Sequence, residues 1–370
     1  MTDEKRIVQQ FIDLVSIDSE TTEEREIANY LIKILEEYGL TVEEDNTNEL
    51  TNHAAGNLIA KLPGNKNRDA ILFTSHMDTV TPGKSITPIV KDGYIMTDGT
   101  TILGADDKAG IAAILETIQI IQEEKLEHGD LYFVIMTGEE SGLVGSRHID
   151  INKLPVKYGY ALDSDGDVGN IVNAAPAQNK LYATIKGKSA HAGVSPEKGV
   201  SAISITAKAI SKMPLGRIDE ETTANIGSFE GKGPTNIVCD KVLLVAEARS
   251  ISKQKLEQQT TVMVEALEKT ATAMGGTMSI KIEEMYPSYQ FSKDDYVVTQ
   301  AMRATTSIGL TPKLVTSGGG SDANHLSGKG IPTVNLAIGY ENIHTTNEKI
   351  QIEQLITIPK LMLSIIKNSN

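Results

Sequence analysis

Residues 70–78 read AILFTSHMD, an apolar run that ends in His76 and, two residues later, Asp78. A short apolar run bounded by polar residues reads as a strand. The same arrangement recurs on either side of it. Residues 131–137 (LYFVIMT) run into Glu139 and Glu140, residues 158–162 (YGYAL) run into Asp163, and residues 57–62 and 333–338 are further strand candidates. Helical spacing separates them. Ile7, Phe11, Leu14 and Val15 mark one amphipathic helix, and Ile27, Leu31, Ile34, Leu35 and Tyr38 mark a second, with Thr21 and Glu24 offering a capping box and Gly39 its stop. Another helix is predicted over 108–122 and others near 294–307 and 351–367. Strands alternating with helices predict an α/β domain, a mixed sheet with flanking helices. Within it, residues 177–285 read as strand, helix, strands, helix, strand, an inserted α+β two-layer module, so that residues 1–176 and 286–370 form one domain around it.

Composition narrows the function. The chain has 370 residues, 35 basic against 49 acidic, a net charge of -14, and its basic residues are scattered, which argues against a nucleic-acid partner. No apolar run approaches the length of a membrane span and no secretory leader pattern opens the sequence, so a reducing cytoplasm is expected. The one cysteine, Cys239, reads as a small core hydrophobe near a strand.

The chemistry-bearing residues sit where strands end, and the carboxyl ends of strands in an open α/β sheet share one edge. His76 and Asp78, spaced by two, would share a face of a strand, with the carboxylate orienting the imidazole. Gathered in one cleft, Glu139, Glu140, Asp163 and the pair Asp106 and Asp107 would repel one another unless a cation compensated them. Two divalent ions bring four positive charges, matched by Asp106, Glu140 and Asp163 as ligands and Glu139 as a base. Histidine with carboxylates suits zinc or a similar first-row ion, and a site without cysteine is more often catalytic than structural. Singly, each motif has a plainer reading: a helix cap for Asp106 and Asp107, solvated turns for Glu139, Glu140 and Asp163, a loop histidine for His344. Their order carries the argument.

That order, His76-Met77-Asp78, GADDKAG (104–110), TGEESG (137–142), ALDSDG (161–166) and a late histidine in ENIHTTNE (341–348), resembles the M20 family of dinuclear zinc peptidases, in particular its peptidase T-like branch. The resemblance covers almost the whole chain and makes the insertion a lid domain. It implies a zinc-peptidase fold and two Zn²⁺ per subunit, with Co²⁺ or Mn²⁺ as substitutes. His76 and Asp163 would hold one ion, Glu140 and His344 the other, and Asp106 would bridge, selected over Asp107 as the aspartate two before the lysine. A cis peptide is implied after Asp106, and Asp78 would orient His76. Glu139 resembles the general base, acting on a water activated by the ions. In the lid, His191 of KGKSAHAG (186–193) resembles the residue that stabilises the oxyanion, and Asn236 and Arg249 resemble substrate contacts, Arg249 as a planar fork for a peptide carboxylate.

The turn SGGGSDANH (317–325) offers exposed amides at Gly319 and Ser321 that suit an anion; it lacks the lysine of a phosphate loop, and the resemblance makes it a substrate-backbone loop. His325 competes with His344 as last ligand, but the family's ligand follows the final strand, which selects His344. The reading is then a zinc-dependent exopeptidase acting on small peptides, a tripeptide aminopeptidase. The alternatives are an M20-type carboxypeptidase or N-acyl amino acid deacylase, and a non-catalytic peptide-binding homologue. A homodimer through the lid is expected from the resemblance.

Overall fold

The computed structural model describes residues 2–369, which divide into two units. The first comprises Met1–Ala174, Gln290–Ser317 and Ser321–Asn370, the second Ala175–Tyr289 with Gly318–Gly320.

In the first unit the strands Leu131–Met136, Ile71–His76, Tyr158–Ser164 and Thr333–Ala337 lie side by side, all parallel. Leu58–Leu62 and Thr41–Glu44 continue the sheet antiparallel on one side, and Asn170–Ala175 borders Thr333–Ala337 antiparallel on the other, which makes the sheet mixed. Every residue of Ile71–His76 and Leu131–Met136 is buried, as expected of strands covered on both faces. Phe73 stacks on Phe133 at 6.1 Å and on Tyr160 at 5.8 Å between ring centroids, a cross-strand aromatic row at the sheet's centre. Against it lies the helix Ala105–Glu124, apolar nearly all round and buried along almost its whole length, packed against Glu4–Val15 and Ile352–Asn368.

The amphipathic helices predicted near the start are Glu4–Val15 and Arg25–Glu37, and Gly39 follows the second at φ 76°. The expected capping box is not formed. Glu24 is itself the residue before the helix and is fully buried, its carboxylate accepting the amides of Thr22 and Ala54 instead.

A second, four-stranded sheet of the first unit, Tyr340–Glu341, Lys349–Gln351, Tyr94–Met96 and Ile89–Lys91, is too short and irregular to have shown in the sequence pattern. It holds residues 342–348 as the loop of a hairpin, with Tyr340 opposite Ile350 and Glu341 opposite Lys349.

The second unit is an antiparallel sheet in the order Gly216–Arg217, Thr222–Glu230, Lys241–Ser250, Ala177–Lys186, Thr277–Tyr286. Leu181, Ala183, Ile185, Val242, Leu244, Ala246 and Ala248 alternate onto the face covered by Ala202–Ile210 and Lys253–Ala273. Gly320 belongs to this unit because its backbone lies against Tyr286, where an added Cβ would come within 2.4 Å of the ring. Cys239 precedes the strand Lys241–Ser250 and is only partly buried, its thiol donating to the Lys241 carbonyl; it is not the core hydrophobe expected. Among the described residues no helix is long and apolar enough to cross a membrane.

Because Phe73 is fully buried between two aromatic neighbours, Phe73→Ala is expected to lower unfolding stability by about 3–5 kcal/mol in urea titration, and a loss below about 1 kcal/mol would contradict this account of the core.

Candidate metal centre

The four parallel strands bring their carboxyl ends to one edge. His76 is the last residue of its strand and is buried, Asp163 lies at the end of Tyr158–Ser164, and Glu139 and Glu140 occupy the turn after Leu131–Met136. Asp106 and Asp107 open the long helix with backbone angles that are not helical, joined by a cis peptide as the resemblance implied. His344 sits in the hairpin loop at φ 59°.

Asp106 connects these groups. Its Oδ1 is 3.0 Å from His76 Nε2 and its Oδ2 is 3.3 Å from His344 Nε2, so each carboxylate oxygen faces a different imidazole. Asp163 Oδ1 lies 3.8 Å from His76 Nε2 on one side, and Glu140 Oε1 lies 3.0 Å from His344 Nε2 on the other. Ligand atoms about 2.0–2.1 Å from a tetrahedral zinc stand roughly 3.3 Å from one another. The spacings observed, 3.0 to 3.8 Å, would suit a ligand shell. Donor atoms of His76, Asp106 and Glu140, and separately those of His76, Asp107 and Asp163, lie within 4.8 Å of one another. Asp107, set aside in the sequence, is thus close by. Its Oδ2 accepts the His76 amide at 3.2 Å and its buried Oδ1 has no hydrogen-bond partner, but it is Asp106 that faces both imidazoles.

The electrostatics call for a cation. Burial, reinforced by the charges of Asp107 and Asp106, pushes Asp163 well above the usual carboxylate range. Burial and the Asp163 charge do the same to Glu139, and burial raises Glu140 although His344 opposes it. Burial disfavours the charged form of His76, yet hydrogen bonds to Asp106 and Asp78 outweigh it and hold its pKa well above the ordinary value. Hydrogen bonds to Asp106 and Glu140 raise His344 to about 10. A mixed imidazole and carboxylate set of this spacing fits a first-row divalent ion, whose charge would offset these carboxylates.

Asp78 is placed differently from the expectation. The strand ends at His76, and Asp78 lies beyond it, presenting to His76 Nδ1 its backbone carbonyl at 3.0 Å, nearer than its carboxylate at 3.5 Å. The fully buried carboxylate accepts the amides of Glu139 at 3.0 Å and Glu140 at 3.2 Å. Asp78 therefore holds the two glutamates as well as the histidine.

In the second unit, Ala192 donates to the Asn236 carbonyl and Val238 to the Ala190 carbonyl, which sets His191 and Asn236 on adjacent extended segments. His191 Nδ1 accepts the amides of Gly193 and Val194, both at 3.2 Å, so the ring proton of the neutral imidazole is on Nε2. Arg249 is bound by Glu247 through Nε at 2.8 Å and Nη2 at 3.3 Å. Gly319 falls in the second unit with Gly318 and Gly320. Ser321, in the first, is occupied as the cap of the helix Asp322–Gly328, in a capping box with Asn324. His325 is buried on that helix and belongs to neither ligand group.

Three residues that shape the centre escaped the sequence analysis. Glu348, four after His344, is buried, and its carboxylate accepts the amides of Leu103 at 2.7 Å, Gly104 at 2.8 Å and Asp106 at 3.0 Å. Tyr340 donates to Asp163 Oδ1 at 3.1 Å, and Asn335 exchanges hydrogen bonds with the Asp163 backbone. Only Asn335 carried a signal, as a lone amide in the apolar run TVNLAI.

This fold is that of a peptidase, and the chain belongs to Peptidase family M20/M25/M40, whose model matches residues 72–368. It is 56% identical over 369 residues to the YqjE protein of Bacillus subtilis (strain 168), covering 100% of both chains. It is also similar to the crystal structure of aminopeptidase PepT from Bacillus cereus ATCC 10987, with a TM-score of 0.92 and 57% identity over 99% of this chain and 98% of that one. A tripeptidase from Staphylococcus aureus subsp. aureus Mu50 superposes with a TM-score of 0.96 at 45% identity, over 99% of this chain and 98% of that one.

The Glu348 contacts generate a test. A carboxylate satisfies three amide donors without bringing one of its own, whereas glutamine would set an N–H against an N–H. Glu348→Gln is expected to weaken metal retention about tenfold or more in chelator competition, the scale for residues that orient ligands. Unchanged retention would remove Glu348 from that role.

Proposed function

We propose that the chain is a zinc-dependent exopeptidase that cleaves small peptides as a tripeptide aminopeptidase. The observation that supports this best is the Asp106 carboxylate, with one oxygen toward His76 and the other toward His344. His76, Asp106 and Asp163 would hold one ion and Asp106, Glu140 and His344 the second, zinc being the natural choice for nitrogen and oxygen donors, with Co²⁺ or Mn²⁺ as substitutes. When bound, such ions supply Lewis acidity to the scissile carbonyl and to a water.

The chain's own residues do the rest. Glu139 takes the proton of the attacking water and returns it to the departing amine. Burial and the neighbouring Asp163 raise its pKa, which strengthens it as a base. Asp78 keeps it in place through its amide. His191, with its Nε2–H available, donates to the oxyanion, and Asn236 contacts the substrate beside it. Arg249 takes the peptide carboxylate, and Gly319 and Ser321 border the peptide backbone. The likeness to an aminopeptidase and a tripeptidase favours a free N-terminus over an acylated one. The reading includes a cytoplasmic location and a homodimer formed through the second unit.

Glu139→Gln is expected to keep its metal, by elemental analysis, while turnover falls on the order of 10² to 10⁴-fold; near wild-type turnover would exclude Glu139 as the base. A free tripeptide is expected to be cut and its N-acetylated form spared. Cleavage of the blocked peptide alone would favour the deacylase or carboxypeptidase reading.

A further inference from the structure

We propose that Glu247 is a positioning residue that fixes which edge of the Arg249 guanidinium meets a substrate carboxylate. The proposal rests on the reading above that Arg249 receives the carboxyl end of the peptide.

Glu247 and Arg249 are two apart on the strand Lys241–Ser250 and so project from the same face of the sheet, the one opposite the helices. The pair is joined side-on: Arg249 Nε donates to Glu247 Oε1 at 2.8 Å and Nη2 donates to Oε2 at 3.3 Å. Ion pairs between neighbouring surface side chains are normally loose. This one is held from a third direction. Gln178, buried and directly opposite Arg249 in the strand register, donates to Glu247 Oε2 at 2.6 Å. The acid is therefore fixed by the strand beside it, and it fixes the guanidinium in turn; Glu247 and Arg249 each keep only 27% of their side-chain exposure.

A guanidinium has five N–H donors and two ways of gripping a carboxylate in two-pronged fashion, along Nε and one Nη or across both Nη. Glu247 occupies the first. What is left for a ligand is the end of the fork, the Nη1 donors and the outer hydrogen on Nη2. The paired side chains also carry no net charge, so recognition depends on direction more than on attraction. Without Glu247 the arginine regains its rotamers and its second gripping edge, and a carboxylate meets a mobile cation in place of an aimed one.

The test uses the intact, metal-loaded enzyme with trialanine and trialanine amide. We expect Glu247→Ala to raise KM for trialanine about tenfold, the scale of one charged hydrogen bond, with kcat within about twofold and KM for the amide unchanged. Glu247→Gln, which retains an acceptor for Arg249, restores most of the loss. Equal effects on acid and amide, or a lower KM for the acid in Glu247→Ala, would overturn the positioning role, the first marking a merely structural residue and the second a charge brake. Arg249→Ala separates the role of Arg249 from that of Glu247. If it leaves the preference between acid and amide untouched, the carboxylate reading of Arg249 fails and this proposal with it. If it abolishes a preference that Glu247→Ala preserves, only the role of Glu247 fails.

Discussion

The first unit is organised around a shortage of positive charge. Asp106, Asp107, Glu139, Glu140 and Asp163 crowd the carboxyl edge of four parallel strands, and the two imidazoles that face them are drawn toward Asp106 from either side. Acids packed so closely are tolerable only when protons or cations offset them, which is why Asp163 and Glu139 are pushed upward while Asp106, between two histidines, is held below the usual range. The same crowding that would destabilise an ordinary core suits a metal centre here, because a divalent ion would replace several protons at once.

Backbone amides provide the scaffold for that crowding. Asp78 accepts the amides of Glu139 and Glu140, Glu348 accepts three around Asp106, and the Asp107 carboxylate accepts that of His76. Each of these three acids thus steadies a residue of the candidate centre, and each bond satisfies a backbone donor near the strand ends. The turns can be irregular because carboxylates complete them. Acids of this kind would orient the groups that a metal ion binds without touching the ion themselves.

Much of this could be read in the sequence because the relevant geometry is local. A parallel strand must end in the direction of its neighbours, so the apolar runs before His76, Glu139 and Asp163 placed all three at one edge. What failed was long-range or irregular. Asp78 reads as a strand residue on the face of His76, but the strand stops two residues short of it, and its carboxylate, 3.5 Å from His76 Nδ1, also accepts amides 61 and 62 residues away. Glu348 bonds to Leu103, Gly104 and Asp106 across more than 240 positions, and nothing within ENIHTTNE announces a partner at that distance. Thr21 and Glu24 fitted a capping pattern, yet Glu24 was claimed by the turn at Thr22 and by Ala54, a tertiary contact overriding a local one. The order of motifs along the chain was therefore a better guide to chemistry than any motif's own periodicity.

The two halves of the donor set differ in how they are held. His76 is buried at the end of a central strand, and Asp163 is hydrogen-bonded by Tyr340 and Asn335, so that half is anchored at the sheet's edge. His344 is half exposed at positive φ in a hairpin loop, and Glu140 lies in a turn. The loop is nonetheless not free, because Glu348, within the same hairpin, is locked to the amide of Asp106, the residue both halves share. A buried acid thus ties the core to the more exposed of the two histidines, and the His344 side opens to solvent while keeping its spacing to Asp106. A centre that must admit a peptide and still hold its ligands within a few tenths of an ångström needs this division of labour, one half built from strands and the other tied to them by a carboxylate.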